Sequence, residues 1–371
     1  MFSLVRVWLF AEAGLSGFEE AAVRVVLSAL TAFLVALTFG AWFLPVLRRA
    51  QLLDCPEKGD SQRLDDIHAH KKTTPTMGGV ILLVAVVCAV VVWGRLESPL
   101  LGVLLLLTLA LGALGMVDDF IQLRTSRKGL KARTKFGAQL VIAGFAGVFL
   151  LAFPPSVFLG GAQESAQSLY LPWAANGLVG FGVFYVAWVA LVTTGSSNAV
   201  NLTDGLDGLA TGCTVLVAVI FAAVAIAAGH SELSAALSIP HVVGGAEVAV
   251  FAAALAGGGL GFLWFNCHPA QVFMGDTGAL PLGGALGMLA LLTKQELLLF
   301  LVGGVLVAEA LSVILQVFSF KMWRKRIFLI APLHHHFQFK GWTETRVTVS
   351  FWVVAAGMGI VSVLALSSSS S

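Results

Sequence analysis

The chain has 371 residues, of which 58% are hydrophobic and only 11% charged, with a mean hydropathy of +0.92. A soluble core could not hide that much apolar surface, whereas a bundle of helices in a bilayer exposes it to lipid at no cost. The formal net charge of +2 says little by itself, and no nucleic-acid partner is expected.

In chain order, apolar runs of a length to cross a bilayer occupy 21–46, 77–93, 99–117, 137–153, 174–194, 209–228, 246–265, 280–293, 297–320 and 347–366. They predict an all-α integral membrane protein of about ten helices forming a single polytopic domain. The run 280–293 is short for a helix that needs about 20 residues, and is expected to be tilted, broken or only partly spanning. Of 22 Lys and Arg, 18 fall in the loops 47–76, 118–136 and 321–346, six in each, while 154–173 and 229–245 hold none. The positive-inside rule makes the odd loops (47–76, 118–136, 195–208, 266–279 and 321–346) cytoplasmic and turns both termini outward. The first long apolar run resembles a retained helix rather than a cleavable signal. The serines 367–371 carry no functional signal.

Negative signals narrow the class. Cys55, Cys88, Cys213 and Cys267 are scattered and form no CxxC, so neither a zinc knuckle nor a disulfide framework is suggested. No Walker A pattern, GxGxxG or clear internal repeat is present.

Each odd loop carries a polar cluster. The first ends in Lys71-Lys72-Thr73-Thr74-Pro75-Thr76-Met77-Gly78-Gly79. Asp118 and Asp119 stand where the third helix is expected to end, a terminus whose partial negative charge opposes carboxylates. They read either as loop-edge caps or as ligands of a cation or a phosphate-bound metal. From Asn198 to Gly208 polar groups recur every third residue, so Asn201 and Asp204 share a helical face from which Asp207 rotates away. Gly205 and Gly208 there would let backbone approach a ligand closely, or else form a turn with Asx caps. Asp276 is an acid between glycines with no basic neighbour in sequence. A glycine turn would satisfy it, as would a hard divalent cation, Mg²⁺ or Mn²⁺ before Zn²⁺. His334, His335 and His336 follow the basic run 321–326; in an extended segment His334 and His336 would project together. They could hold phosphate or relay protons, while Arg324, Lys325 and Arg326 fit a belt on anionic headgroups. Carboxylates, amides, lysine and histidines at one membrane face suit phosphoryl transfer.

The runs Thr74-Pro75-Thr76-Met77-Gly78-Gly79, Asp118-Asp119, Asn201 to Gly208, Phe273-Met274-Gly275-Asp276 and Pro332-Leu333-His334-His335-His336-Phe337 closely resemble the phospho-N-acetylmuramoyl-pentapeptide transferases of bacterial peptidoglycan synthesis, over roughly 44–352. The resemblance implies transfer of phospho-MurNAc-pentapeptide from UDP-MurNAc-pentapeptide to undecaprenyl phosphate with Mg²⁺, giving lipid I and UMP. It also implies a ten-helix fold in the bacterial inner membrane and a homodimer. By motif, Asp276 is implied as metal ligand and catalytic residue, with Asp118 and Asp119 the catalytic pair. Lys71, Thr76, Asn201, Asp204, Asp207, Asn266 and Phe273 are implied as donor contacts, Phe273 stacking on uracil, and Lys135 with the three histidines as phosphate or sugar-peptide contacts. Thr73, Ala279 and Ser350 depart from the pattern, which usually has Gly, Ser and Arg there. A sister transferase using UDP-N-acetylglucosamine shares the acidic motifs, and an ion-coupled transporter would also place acids among membrane helices. The Pro-Leu-His-His-His-Phe run favours the muramoyl enzyme over the first, and the clustering on one face argues against the second.

Overall fold

The computed structural model describes residues 17–50, 74–125, 129–159, 161–171 and 177–367. Lys71, Lys72 and Thr73 lie outside the described residues. The helices are α1 (Gly17–Arg49), α2 (Gly79–Trp93), α3 (Pro99–Arg124), α4 (Ala132–Ala152), α5 (Tyr185–Thr203), α6 (Leu209–Ala228), α7 (Ser231–Ala236), α8 (Gly245–Asn266), α9 (Asp276–Thr293), α10 (Glu296–Val302), α11 (Gly304–Trp323), α12 (Leu333–Phe339) and α13 (Glu344–Ser367). Among the described residues nine helical stretches are long and apolar enough to cross a membrane, and the shorter α2 accompanies them. The expectation of an all-α multi-pass membrane protein of about ten spans holds. Among the described residues, short antiparallel strands lie between α4 and α8, pairing β1 (Val157–Leu159) with β2 (Ala162–Glu164) and β5 (His241–Val242), and β3 (Ser168–Tyr170) with β4 (Gly177–Gly180).

The bundle has an inner layer and a lipid-facing layer. Of the most apolar 18 residues of α9, 94% are buried, against 22% in both α1 and α13. Helix α9 packs on α3, α5, α6 and α2, and α8 on α1 and α6. Glycine makes these close approaches possible. A Cβ on Gly257 would lie 2.0 Å from the Ala29 oxygen, and one on Gly261 2.6 Å from the Ala36 Cβ, so the run 257–261 seats α8 against α1 inside one chain.

Several helix boundaries differ from expectation: α5 spans Tyr185–Thr203 rather than 174–194, which puts Asn198 and Asn201 on a helix and not in a loop, and two others also matter to the site. Helix α3 does not stop at residue 117 but runs to Arg124, so Asp118 and Asp119 stand on a continuing helix rather than at its C-terminus. Twenty-six residues at about 1.5 Å each exceed the roughly 30 Å apolar thickness of a bilayer, which carries the last turns beyond it. Helix α9 is unbroken and begins at Asp276, not at residue 280, because Gly275 at φ +69° makes the sharp entry that a side chain would resist. The break falls in the next run instead, at Gly303 between α10 and α11. A Cβ on Gly304 would meet the Met358 side chain at 2.0 Å, so the break is packed against α13.

Candidate active site

Three helices meet at the end of the bundle that bears the basic loops, and they meet backbone to backbone. The segment before α2 is zipped to the segment before α9: Phe273 N–H donates to the Pro75 carbonyl (2.8 Å), Gly78 N–H to that of Phe273 (2.8 Å) and Gly79 N–H to that of Met274 (2.9 Å). A Cβ on Gly79 would stand 2.2 Å from the Gly278 nitrogen, and one on Gly115 of α3 2.1 Å from the Asp276 carbonyl oxygen. The Thr-Met-Gly-Gly and Phe-Met-Gly-Asp motifs are thus two halves of one joint. Thr76 lies at its seam, its hydroxyl 2.9 Å from where a Gly275 Cβ would be.

The two adjacent acids of α3 do different things, as neighbours about 100° apart on a helix must. Asp119 is 5% exposed and is filled by the start of α9: its carboxylate accepts Asp276 N–H (3.0 Å), Thr277 N–H (3.0 Å) and the Thr277 hydroxyl (2.6 Å). It therefore satisfies two of the N–H groups that a helix N-terminus leaves unpaired. Asp118 points to Lys135, whose Nζ is 3.1 Å from its Oδ2, and accepts the Leu130 N–H. Lys135, from the first turn of α4, is also bonded to Asp276 Oδ2, while Asn201 at the end of α5 donates to Asp276 Oδ1. Asp276 therefore has a basic partner, brought from 141 residues away, which adjacent sequence did not show. Gly129, at φ +82°, makes room for Asp118; a Cβ there would lie 2.6 Å from its Oδ1.

Beside this cluster, Asp204 follows the end of α5, and Gly208 at φ +72° separates it from α6, so 204–208 is a turn between helices. Asp207 is buried on the protein side of that turn. Its Oδ2 accepts from His268 Nδ1 (3.0 Å) and Ala270 N–H (3.1 Å), and its own N–H donates to Glu344 (2.8 Å). Asp207, His268 and Glu344 each bring a potential ligand atom within 4.8 Å of the others, and hydrogen bonds account for the arrangement. Asn266 is 2% exposed with its amide shared between the Thr211 hydroxyl (2.7 Å) and the Val272 carbonyl (3.0 Å). It holds the Phe273 loop from behind and is not joined to the acids. Phe273 itself is half-buried. The two glycines of the turn serve internal packing: a Gly205 Cβ would lie 2.3 Å from His334 Nε2, and one on Gly208 3.1 Å from Leu263.

The histidines lie on the helix α12, not on an extended segment, so they fan around it instead of alternating. His334 is 1% exposed, with Nδ1 3.1 Å from Glu309 Oε2. His335 bonds Gln338 (2.8 Å), and His336 Nδ1 accepts the Leu329 N–H (3.1 Å). Partial burial and the nearby Lys340 charge hold the His336 imidazole below the usual histidine value, in keeping with a ring that accepts at Nδ1. Thr277, Glu309, His268 and Glu344 all take part and escaped the sequence reading. Thr277 was the one within reach of pattern, standing directly after Asp276.

The donor set suits a hard cation. Asp118 and Asp276 converge on a single positive group, and Asp276 and Lys135 keep side-chain exposures of 17% and 16%, against 6% for Asp118, so the solvent face of the cluster lies at Asp276. Mg²⁺ is commonly held by one or two carboxylates with waters and phosphate oxygens completing its shell, which this arrangement can supply. A carboxylate at the first position of α9 is also favoured by the positive end of the helix.

The acids, the lysine and the asparagine of this cluster lie on α3, α4, α5 and α9, and residues 101–294, which contain all four helices except the first two residues of α3, match the family described as Glycosyl transferase family 4. That match covers more than half of the chain. The chain belongs to glycosyl transferase family 4, as a multi-pass membrane glycosyl-1-phosphate transferase of the polyprenyl-phosphate sugar-1-phosphate transferase superfamily.

Proposed function

We propose that the protein transfers phospho-MurNAc-pentapeptide from UDP-MurNAc-pentapeptide to undecaprenyl phosphate, releasing UMP and forming lipid I, at the cytoplasmic face of the bacterial inner membrane. The observation that carries the muramoyl reading is the Pro332–Phe337 segment, which folds as α12 and lays His334 against Gly205 in the Asp204–Asp207 turn. The motif favouring this donor is thereby joined to the turn read as its nucleotide contact.

In this reading an oxygen of the lipid phosphate attacks the sugar-side phosphorus, the bond from that phosphorus to the bridging oxygen breaks, and UMP leaves with the electron pair. Asp276, with Asp118 beside it, would hold Mg²⁺, which supplies charge stabilisation on the transferring phosphoryl group. Lys135 adds a cation at the same place. Asp118 orients the lipid phosphate and takes any proton it carries. Asp119, with its carboxylate taken up by α9, keeps Asp276 in position, which assigns the two acids separate tasks. Asn201 orients the Asp276 carboxylate, and Asp204, Thr76, Phe273 and Lys71 contact the donor. Asp207 and Asn266 shape that pocket from behind through the bonds given above. His335 and His336 meet phosphate or sugar-peptide groups. A homodimer is the proposed assembly.

The test is UMP release by purified protein with undecaprenyl phosphate and either UDP-MurNAc-pentapeptide or UDP-N-acetylglucosamine, with and without EDTA. EDTA-sensitive release from the muramoyl donor alone is expected. Release from UDP-N-acetylglucosamine alone would assign the chain to the sister activity, and release undiminished by EDTA would remove the metal.

A further inference from the structure

Helix α11 is mostly lipid-facing, with 28% of its most apolar stretch buried, yet it carries Glu309 at 0% exposure. A carboxylate taken out of both water and lipid needs compensating donors. Glu309 meets α12: Oε1 accepts the His334 N–H (3.1 Å), and Oε2 lies 3.1 Å from His334 Nδ1 in a close polar contact without hydrogen-bond alignment. The carboxylate thus fixes the start of α12 and lies against the Nδ1 edge of the His334 ring. With the Nδ1 edge beside the carboxylate, Nε2 stands on the far edge, and that edge fills the space of the missing Gly205 side chain. His335 packs against the same ring, centroids 4.1 Å apart at 60°. The chain of contact therefore runs from Glu309 through His334 to the turn between Asp204 and Asp207.

We propose that Glu309 is a positioning residue for donor binding: acting through His334, it holds the Asp204–Asp207 turn in the shape that receives the nucleotide. This rests on the reading of that turn as a donor contact. The Asp118–Lys135–Asp276 cluster is held by separate bonds, so the chemical step should feel the loss of Glu309 much less than donor binding does. A lost bond to a charged acceptor corresponds to roughly tenfold or more in affinity.

The experiment compares wild type with Glu309→Gln, Glu309→Ala, His334→Asn and the pair Glu309→Gln/His334→Asn, all checked for monodispersity and melting temperature. Steady-state kinetics of UMP release are paired with hydrogen–deuterium exchange of 204–208. Glu309→Gln keeps length and one acceptor but puts an amide N–H opposite Nδ1, so it guards against a mere folding failure of the alanine variant. Expected is a donor KM raised about tenfold with kcat within about threefold, faster exchange across 204–208, and a double variant no worse than His334→Asn alone. Effects of Glu309→Gln and His334→Asn that multiply would show that Glu309 does not act through His334 and overturn the proposal. So would a fall in kcat at unchanged KM with exchange at 204–208 unaltered. The exchange measurement needs no turnover: faster exchange in 204–208 with no donor processed by wild type would sink the transferase reading and leave the Glu309 brace standing.

Discussion

Asp119→Asn separates a structural acid from a chemical one. The wild-type carboxylate accepts three hydrogen bonds from the first two residues of α9, at 3.0, 3.0 and 2.6 Å. Asparagine brings one acceptor oxygen, and its amide must face at least one of those donors, so one or two bonds go and a buried N–H is left unpaired. Each bond to a buried charged acceptor contributes about 1.5–3 kcal/mol, partly offset because a neutral amide is easier to bury. The net loss is then roughly 2–4 kcal/mol, or about 3–5 °C in melting temperature for a chain this long. Asp118→Asn should behave differently. Asparagine there can keep an acceptor for the Leu130 N–H while Lys135 stays on Asp276, so the melting temperature of this variant should move by less than about 2 °C. Both variants would be melted in the same detergent by intrinsic fluorescence, without metal, and the comparison needs no substrate. An Asp119→Asn protein that melts with wild type while Asp118→Asn falls would refute the division of labour.

Three further outcomes follow from the same contacts. Asp276→Asn should keep the melting temperature of wild type and lose at least about a thousandfold in UMP release, since the amide preserves shape but not the charge that holds a divalent ion; near-normal turnover at saturating Mg²⁺ would remove Asp276 from that role. Lys135→Met leaves Asp118 and Asp276 without their shared cation, so its melting temperature should fall without metal and recover on adding Mg²⁺, more than that of wild type does; no metal-dependent recovery would mean that the two carboxylates do not bind Mg²⁺ together. Gly115→Ala puts a methyl 2.1 Å from the Asp276 carbonyl oxygen, a backbone clash that should lower stability by about 2 kcal/mol or more and activity with it; an alanine variant with normal melting and turnover would show that α3 and α9 can part without cost.

What could be read from the sequence divides along a physical line. Hydropathy and the sidedness of Lys and Arg report solvent preference residue by residue, so the spans and the shared face of the polar motifs were open to inspection. The division of roles was not, because it depends on helix register and on partners far away in the chain. Asp118 and Asp119 looked misplaced only on the assumption that hydropathy ends a helix where charge begins. In fact α3 continues to Arg124, and a continuing helix can offer two adjacent acids to two different neighbours. Asp276 looked uncompensated because Lys135 stands 141 residues away. Gly205 was read as space for a ligand, yet the space is taken by His334. Glu309 was hidden for the opposite reason, as one acid in an apolar run with its partner 25 residues on. In a membrane bundle such an acid is the more informative residue, since neither lipid nor water can satisfy it there and the protein must. The same rule that made the acids of the odd loops conspicuous therefore applies inside the spans: each charge there implies a partner on another helix, and at Glu309 that partner leads to the turn read as the donor site.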